Sequence, residues 1–184
     1  NSSGPSKFQN LVNLRGIVPI PEFTLIDENH IRKMLLNFDA VKSELNEIEN
    51  RIVITSGAFL SEDIVNVSST LEKLRWSEEG FDILRCVLGD VFKSKTSGNY
   101  AIRSACQIED LASHSFAGIY ESKLNISGIE SIKDSILEVW CSAYGERAII
   151  ERLHAGLLGT EMQMCVIAQE MVQSEFAGVA FSVH

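Results

Sequence analysis

The spacing of the apolar residues constrains the fold more than any other feature of this sequence, because it changes between two periods along the chain. Residues 30–48 place apolar side chains at steps of three and four, which predicts one or two amphipathic helices. Residues 16–26 combine two prolines with β-branched and apolar residues, which predicts a strand or an extended arm. A short apolar run at residues 100–102 predicts another strand. The sequence therefore predicts a mixed α+β fold.

The second half of the chain contains a segment with neither period. Residues 104–118 are rich in Ser, Ala, Asp and Gly, which predicts a long loop, and loops of this length usually carry function. Residues 119–126 then predict a strand. Ser127 and Glu130 have the spacing of a capping box, so we expect a helix to begin here and to continue, straight or bent, to about Leu153.

Two further strands are predicted near the C-terminus, at residues 162–172 and 177–183, with a polar turn between them. A buried strand at the end of a chain needs a neighbour with which to pair. We therefore expect the second of these strands to be completed by further protein or by a partner.

Charge and composition disfavour several classes of function. The formal net charge of −9 and the scattered basic residues argue against nucleic acid as a partner. No apolar run approaches the length that spans a bilayer, so we expect no membrane segment. The four cysteines include no C-x-x-C pair, which argues against a structural zinc site and predicts a reducing, cytoplasmic setting.

Four stretches of the chain resemble one known family. Residues 101–126 read AIRSACQIEDLASHSFAGIYESKLNI and resemble the Arg-Ser-Ser-Ala, Glu-Asp and Ser-Phe-Ala-Gly signature of the dikinase nucleotide-binding domain. Phosphoenolpyruvate synthase, pyruvate phosphate dikinase, the rifampin phosphotransferases and the glucan water dikinases share that domain. Residues 6–23 (SKFQNLVNLRGIVPIPEF), 140–152 (WCSAYGERAIIER) and 164–183 (MCVIAQEMVQSEFAGVAFSV) resemble its opening, its Trp-x-Ser helix and its later strands.

The resemblance implies an ATP-grasp-like fold, in which a nucleotide lies between two α+β lobes. Residues 1–160 would form the first lobe, and residues 161–184 the opening strands of an incomplete second lobe. The family's kinases transfer phosphate from ATP, through a phosphohistidine on a swivelling domain, to an acceptor such as pyruvate. The resemblance thus implies ATP, the remaining ATP-grasp half and the swivelling domain as partners. It implies magnesium ligands outside this chain and an inactive isolated fragment, so we assign no metal ligand and no catalytic residue.

The resemblance also implies a set of ATP-binding residues. Lys7 takes the position of the family's N-terminal phosphate-binding lysine, and Arg103 takes that of its phosphate-binding arginine. Gly118 and Ser122 belong to the loop that closes over the phosphates, and Gln169 lies beside the adenine. The residue types suit these roles, because polyphosphate needs cations that stay protonated and backbone donors that approach closely.

The end of the predicted strand at residues 162–172 supplies the rest of the site. Adenine binds in apolar slots with a few polar or main-chain contacts, which Glu170, Met171 and Val172 can provide beside Gln169. We therefore include Glu170 and Val172 among the expected ATP-binding residues.

Other interpretations of the same residues stay open. Arg103 can form a structural ion pair with Glu109 or Asp110 in place of binding phosphate. Pro5 and Ser6 replace the two glycines that precede the lysine in the family's opening motif. The chain can accordingly also be a non-catalytic nucleotide sensor, a partner-binding module, or one subunit of a split enzyme.

Overall fold

A four-stranded antiparallel sheet organises the chain. The structure is a computed structural model that describes residues 4–93, 99–110, 116, 118–176 and 178, without the side chains of residues 90–93, 109 and 110. The strands are β1 (Phe23–Ile26), β2 (Tyr100–Cys106), β3 (Ser122–Ile126) and β4 (Met164–Glu170). They lie in the order β1-β4-β2-β3, and every neighbouring pair is antiparallel.

Helices connect and cover these strands, which confirms the predicted mixture of helix and strand. Their bounds are α1 (Ser6–Leu14), α2 (Glu28–Met34), α3 (Phe38–Ile54), α4 (Leu60–Leu71), α5 (Gly80–Lys93), α6 (Ile129–Cys141) and α7 (Glu146–His154). Short 3-10 helices occupy Gln107–Asp110 and Ser142–Tyr144. Within the described ranges, no helix has the length and apolar character needed to cross a membrane. The division into lobes at residue 160 stays a prediction.

One face of the sheet, the inner face, packs against α5 and α6 and holds the main core. Its side chains include Ile26, Ile102 and Val166, which are fully buried together with Ile132 and Trp140 of α6. Complete burial of an apolar side chain of this size contributes about 1.5 to 3 kcal/mol. The helical period of residues 30–48 contributes to the same core, because α2 and α3 bury their apolar stripe there.

The opposite face of the sheet, the outer face, has a smaller cover. Phe23, Ala105 and Ile167 form its core, and Phe8 and Leu11 of α1 pack against them. The rings of Phe8 and Phe23 meet edge to face with centroids 5.6 Å apart, a favourable geometry for an aromatic pair. The short helix α1 therefore covers part of this face.

The predicted loop at residues 104–118 begins later than expected. Ser104, Ala105 and Cys106 continue β2, and the last two pair with Cys165 and Met164 of β4. Small side chains without a clear period can occupy a strand that is buried on both faces, and the apolar pattern alone does not reveal this. The predicted strand at residues 177–183 lies, except for Gly178, outside the described residues.

The predicted capping box before α6 is wrong. The N-cap is Gly128, whose φ of 81° lies in the left-handed region, and no side chain caps the helix. Glu130 instead pairs with Lys133, with 2.8 Å between Oε2 and Nζ. Glycine adopts this backbone conformation without strain, so the turn geometry sets the start of the helix in place of the Ser127 hydroxyl.

A buried ion pair ties α7 to α3. The Arg152 Nη2 lies 2.8 Å from the Glu49 Oε1, and both side chains are almost completely excluded from solvent. Arg152 also donates to the carbonyl oxygens of Ala143 and Ala148, at 2.9 and 3.3 Å. The guanidinium thereby joins two helices to the 3-10 turn before α7.

We predict that Arg152→Ala lowers the free energy of unfolding by roughly 3 to 5 kcal/mol, because Glu49 is left buried and unpaired. Urea unfolding of the variant measures this change. The matched control is Arg85→Ala, because Arg85 pairs with Asp82 in an exposed setting where such a pair contributes no more than about 1 kcal/mol. Equal effects of the two substitutions would contradict the assignment of Arg152 as a core link.

Candidate functional site

One exposed cation interrupts a strand that is otherwise buried. Arg103 is exposed, whereas every other residue of β2 is buried. Arg103 stands opposite Ile167 of β4 and Ser122 of β3. Residues directly opposed on antiparallel strands share a face, so Arg103 and Ser122 both lie on the outer face. Because a guanidinium stays charged and needs water or an anion, its exposure marks an open part of this face.

Lys7 brings a second cation to the same place. It lies on α1, and its Nζ donates to the carbonyl oxygen of Ser104, the neighbour of Arg103, at 3.3 Å. Helix α1 begins directly after Pro5, without a side-chain cap. Proline suits the start of a helix, so the replacement of the two family glycines by Pro5 and Ser6 is compatible with α1, which carries Lys7 against β2.

Gln169 lies on the outer face one strand away from Arg103. It is half-buried and stands opposite Phe23 and Ala101. Because Ile167 is the direct partner of Arg103, Gln169 is the diagonal partner, a relation that spans about 7 to 8 Å in antiparallel sheets. The outer face therefore brings together four of the predicted site residues, namely Lys7, Arg103, Ser122 and Gln169.

A cleft of about 450 Å³ opens at the end of β4, and we call it the strand-end cleft. Its lining residues are Pro19, Ile20, Pro21, Glu170, Met171, Val172 and Gln173. Two backbone amides are engaged here, because the Glu170 N–H donates to the Glu22 carbonyl oxygen at 2.8 Å and the Met171 N–H donates to the Asn99 carbonyl oxygen at 2.9 Å. The cleft thus contains the predicted residues Glu170 and Val172.

Sequence reasoning missed the other wall of the strand-end cleft. Residues 19–21 form it, and they were available in the opening motif as two prolines around an isoleucine. Proline has a fixed φ and no N–H, so this segment presents a rigid and largely apolar surface. The signal was therefore present in the sequence, although it indicated only an extended backbone.

A second cleft, which we call the loop cleft, lies beside the segment before β3. It measures about 410 Å³ and is lined by Gly118, Ile119, Tyr120, Glu121, Ser142, Gly145, Glu146, Arg147 and Ala148. Gly118 is exposed and has a φ of 74°, a conformation that strains other residues. Sequence reasoning did not assign Ser142 or Arg147, although both belong to the Trp-x-Ser motif.

A third cleft of about 340 Å³, the polar cleft, is lined by different residues, which include Glu28, Lys42 and Met162. The Lys42 Nζ donates to the Tyr144 hydroxyl at 2.6 Å, to the Glu28 Oε2 at 3.2 Å and to the Met162 carbonyl oxygen at 3.3 Å. A lysine has three N–H donors, and the protein's own acceptors engage all of them. The Lys42 ammonium is accordingly already engaged by the protein's own acceptors in this cleft.

The thiols near the site are held in their neutral form. Burial raises the pKa of the Cys165 thiol, on the outer face, to about 12, and burial raises the pKa of Cys141 to about 12 as well. A thiol of this kind is a poor nucleophile at neutral pH. Among the described residues, no group of three or more His, Cys, Asp or Glu side chains has the arrangement of a metal site.

These features define a mixed α+β domain whose outer face presents two cations beside a mainly apolar cleft. The family of the pyruvate phosphate dikinase AMP/ATP-binding domain matches residues 5–184. The chain belongs to this family.

Curated relatives share this region. A rifampicin phosphotransferase of Bacillus cereus is 39% identical over 83 residues, which cover 45% of this chain and 10% of that protein. A phosphoenolpyruvate synthase of Aeropyrum pernix is 36% identical over 84 residues, which cover 46% of this chain and 10% of that protein. The phosphoenolpyruvate synthase of Deinococcus radiodurans is 31% identical over 147 residues, which cover 75% of this chain and 18% of that protein. The chain thus spans less than a fifth of the length of these relatives.

We predict that iodoacetamide at pH 8 alkylates the exposed Cys86 and leaves Cys141 and Cys165 unmodified in the folded chain. The raised pKa keeps the last two thiols protonated, Cys165 is also buried, and the thiolate is the reacting form. Mass spectrometry of peptides after timed labelling measures each site, and labelling in urea provides the control in which all three react. Equal labelling of Cys165 and Cys86 in the folded chain would contradict the burial of the outer-face thiol.

Proposed function

We propose that the outer face binds the phosphates of ATP through Arg103 and Lys7. The observation that carries this proposal is the exposure of Arg103 at the centre of a strand whose other residues are buried. Lys7 supports it, because its Nζ lies on the carbonyl oxygen of the adjacent Ser104. A planar guanidinium can bind two phosphate oxygens at once, and an ammonium beside it neutralises further charge.

The positions of the two clefts favour one orientation of the nucleotide. We place the adenine in the strand-end cleft, between residues 19–21 and the end of β4, with Gln169 beside it. Because the Glu170 and Met171 amides already donate to backbone carbonyls, the Val172 amide is our candidate donor to the base. The phosphates then extend across Arg103 towards β3, a span of about 10 Å at the usual strand spacing.

The loop before β3 completes the phosphate site in this proposal. Ser122 stands opposite Arg103 on the same face, and its hydroxyl can donate to a phosphate oxygen. Gly118 lies exposed at the tip of the loop, where its N–H can approach a phosphate without obstruction by a Cβ. Phosphoryl transfer depends mainly on positioning and charge neutralisation, which are the contributions that these residues make.

We propose further that the chain is the ATP-binding part of a dikinase-type phosphotransferase with an ATP-grasp fold. Membership of the AMP/ATP-binding domain family supports this function, as do relatives named phosphoenolpyruvate synthase and rifampicin phosphotransferase. In such an enzyme, a histidine on another domain accepts phosphate from ATP and passes it to an acceptor such as pyruvate. The remaining ATP-grasp half would supply the magnesium ligands, and we derive no step through a metal in this chain.

We predict that Arg103→Ala weakens ATP binding by about tenfold to a hundredfold, the range expected when hydrogen bonds to a charged group are lost. We expect the rate of phosphotransfer by the protein that carries this domain to decrease together with the affinity for ATP. Arg103→Lys restores only part of the affinity, because lysine lacks the planar pair of donors. Titration calorimetry with ATP measures the affinity of each variant.

The melting temperature of the same variants separates the two roles that the sequence left open for Arg103. An exposed arginine that serves a ligand contributes little to the empty protein, so we expect the melting temperature of Arg103→Ala to match that of the Arg85→Ala control. A destabilised variant whose folded fraction binds ATP normally would contradict the phosphate assignment. That result would favour an ion pair with Glu109 or Asp110.

A further inference from the structure

Ser142 connects the loop before β3 to the helical core. The Glu121 N–H donates to the Ser142 Oγ at 3.1 Å, and the Ser142 hydroxyl donates to the Val139 carbonyl oxygen at 2.6 Å. Val139 lies in the last turn of α6, where helix carbonyls lack partners within the helix. A single hydroxyl therefore satisfies a helix end and holds the loop backbone. Because Val139 is fully buried, the loop is fixed directly to the core.

Two aromatic rings anchor the same loop from within. Phe116 and Tyr120 are buried, and their rings lie nearly parallel with centroids 6.5 Å apart. The Ile119 N–H donates to the Phe116 carbonyl oxygen at 3.2 Å, which closes a turn around the exposed Gly118. The loop thus has a base held by the core and a tip that is open to solvent.

We propose that Ser142 is the positioning residue for the phosphate end of the nucleotide site. This inference rests on the proposed ATP site. Ser142 acts through the Glu121 amide, which immediately precedes Ser122, the cross-strand partner of Arg103. Loss of this hydrogen bond lets the backbone of residues 118–122 shift, so that the Gly118 N–H and the Ser122 hydroxyl lose their alignment with a phosphate. The strand-end cleft has no lining residue in common with the loop cleft. Loss of the Ser142 hydrogen bond therefore leaves the affinity of the strand-end cleft for adenine unchanged.

The test compares ATP with adenosine, which lacks the phosphates, in the protein that carries this domain. We expect Ser142→Ala to weaken ATP binding by about three- to tenfold, the effect of one ordinary hydrogen bond, and to leave adenosine binding unchanged. Ser142→Thr keeps a hydroxyl and restores ATP binding.

Hydrogen exchange of the Glu121 amide provides a readout that needs no nucleotide, and we expect Ser142→Ala to accelerate this exchange. Ser131→Ala is the matched control, because Ser131 is exposed on α6, the helix that ends directly before Ser142.

Each alternative outcome counts against the proposal. If the Ser142→Ala variant binds ATP as tightly as the wild type, Ser142 is not a positioning residue. The proposed ATP site itself is not contradicted by that result. An equal loss of ATP and adenosine binding indicates a general loss of structure and also overturns it. Unchanged exchange at Glu121 shows that the hydrogen bond does not hold the loop. A folded wild-type protein that binds neither ATP nor adenosine overturns the proposed function together with this inference.

Discussion

The antiparallel pairing of β2 with β4 determines which face of the sheet carries Arg103 and Gln169, the strand residues at the centre of the candidate site. Seven residue pairs join the two strands, from Tyr100 with Glu170 to Cys106 with Met164. Side chains alternate between faces along a strand, so a slip of one residue would move Arg103 into the buried inner face. The apolar residues of both strands oppose such a slip, because Ile102 and Val166 would then leave the main core. The hydrophobic core thus fixes the position of a charged residue on the opposite face.

Among the described residues, the cover of the outer face is incomplete, and this leaves the proposed site open to solvent. Helix α1 buries Phe23 and Ile167 at one end of this face and brings Lys7 to the edge of the open part. A longer helix, or a second one, would bury Arg103 without an anion, which is strongly unfavourable. The proposed ligand therefore takes the place that an apolar layer would occupy in a closed two-layer fold.

The sequence predicted the helical segment at residues 30–48 well, because its apolar period is strong, and it placed a strand at or near each of the four strands of the sheet. The sequence predictions were wrong where glycine and other small residues determine the backbone conformation. Gly128 starts α6 in place of the expected Ser127 cap, and residues 104–106 extend β2 without a recognisable pattern. The grouping of Lys7, Arg103, Ser122 and Gln169 on one face depends on strand register, which the family motifs imply only by analogy. Ser142 belongs to the Trp-x-Ser motif, but the motif did not reveal its role, because that role rests on a tertiary hydrogen bond.

A structure of the protein that carries this domain, bound to a non-hydrolysable ATP analogue, tests the central claim most directly. The measured quantity is the distance from the Arg103 guanidinium to the nearest phosphate oxygen. Our account predicts about 2.7 to 2.9 Å, the length of a charge-assisted hydrogen bond, with the adenine between residues 19–21 and the end of β4. A nucleotide bound in the polar cleft beside Lys42, or phosphates that do not touch the outer face, would contradict it.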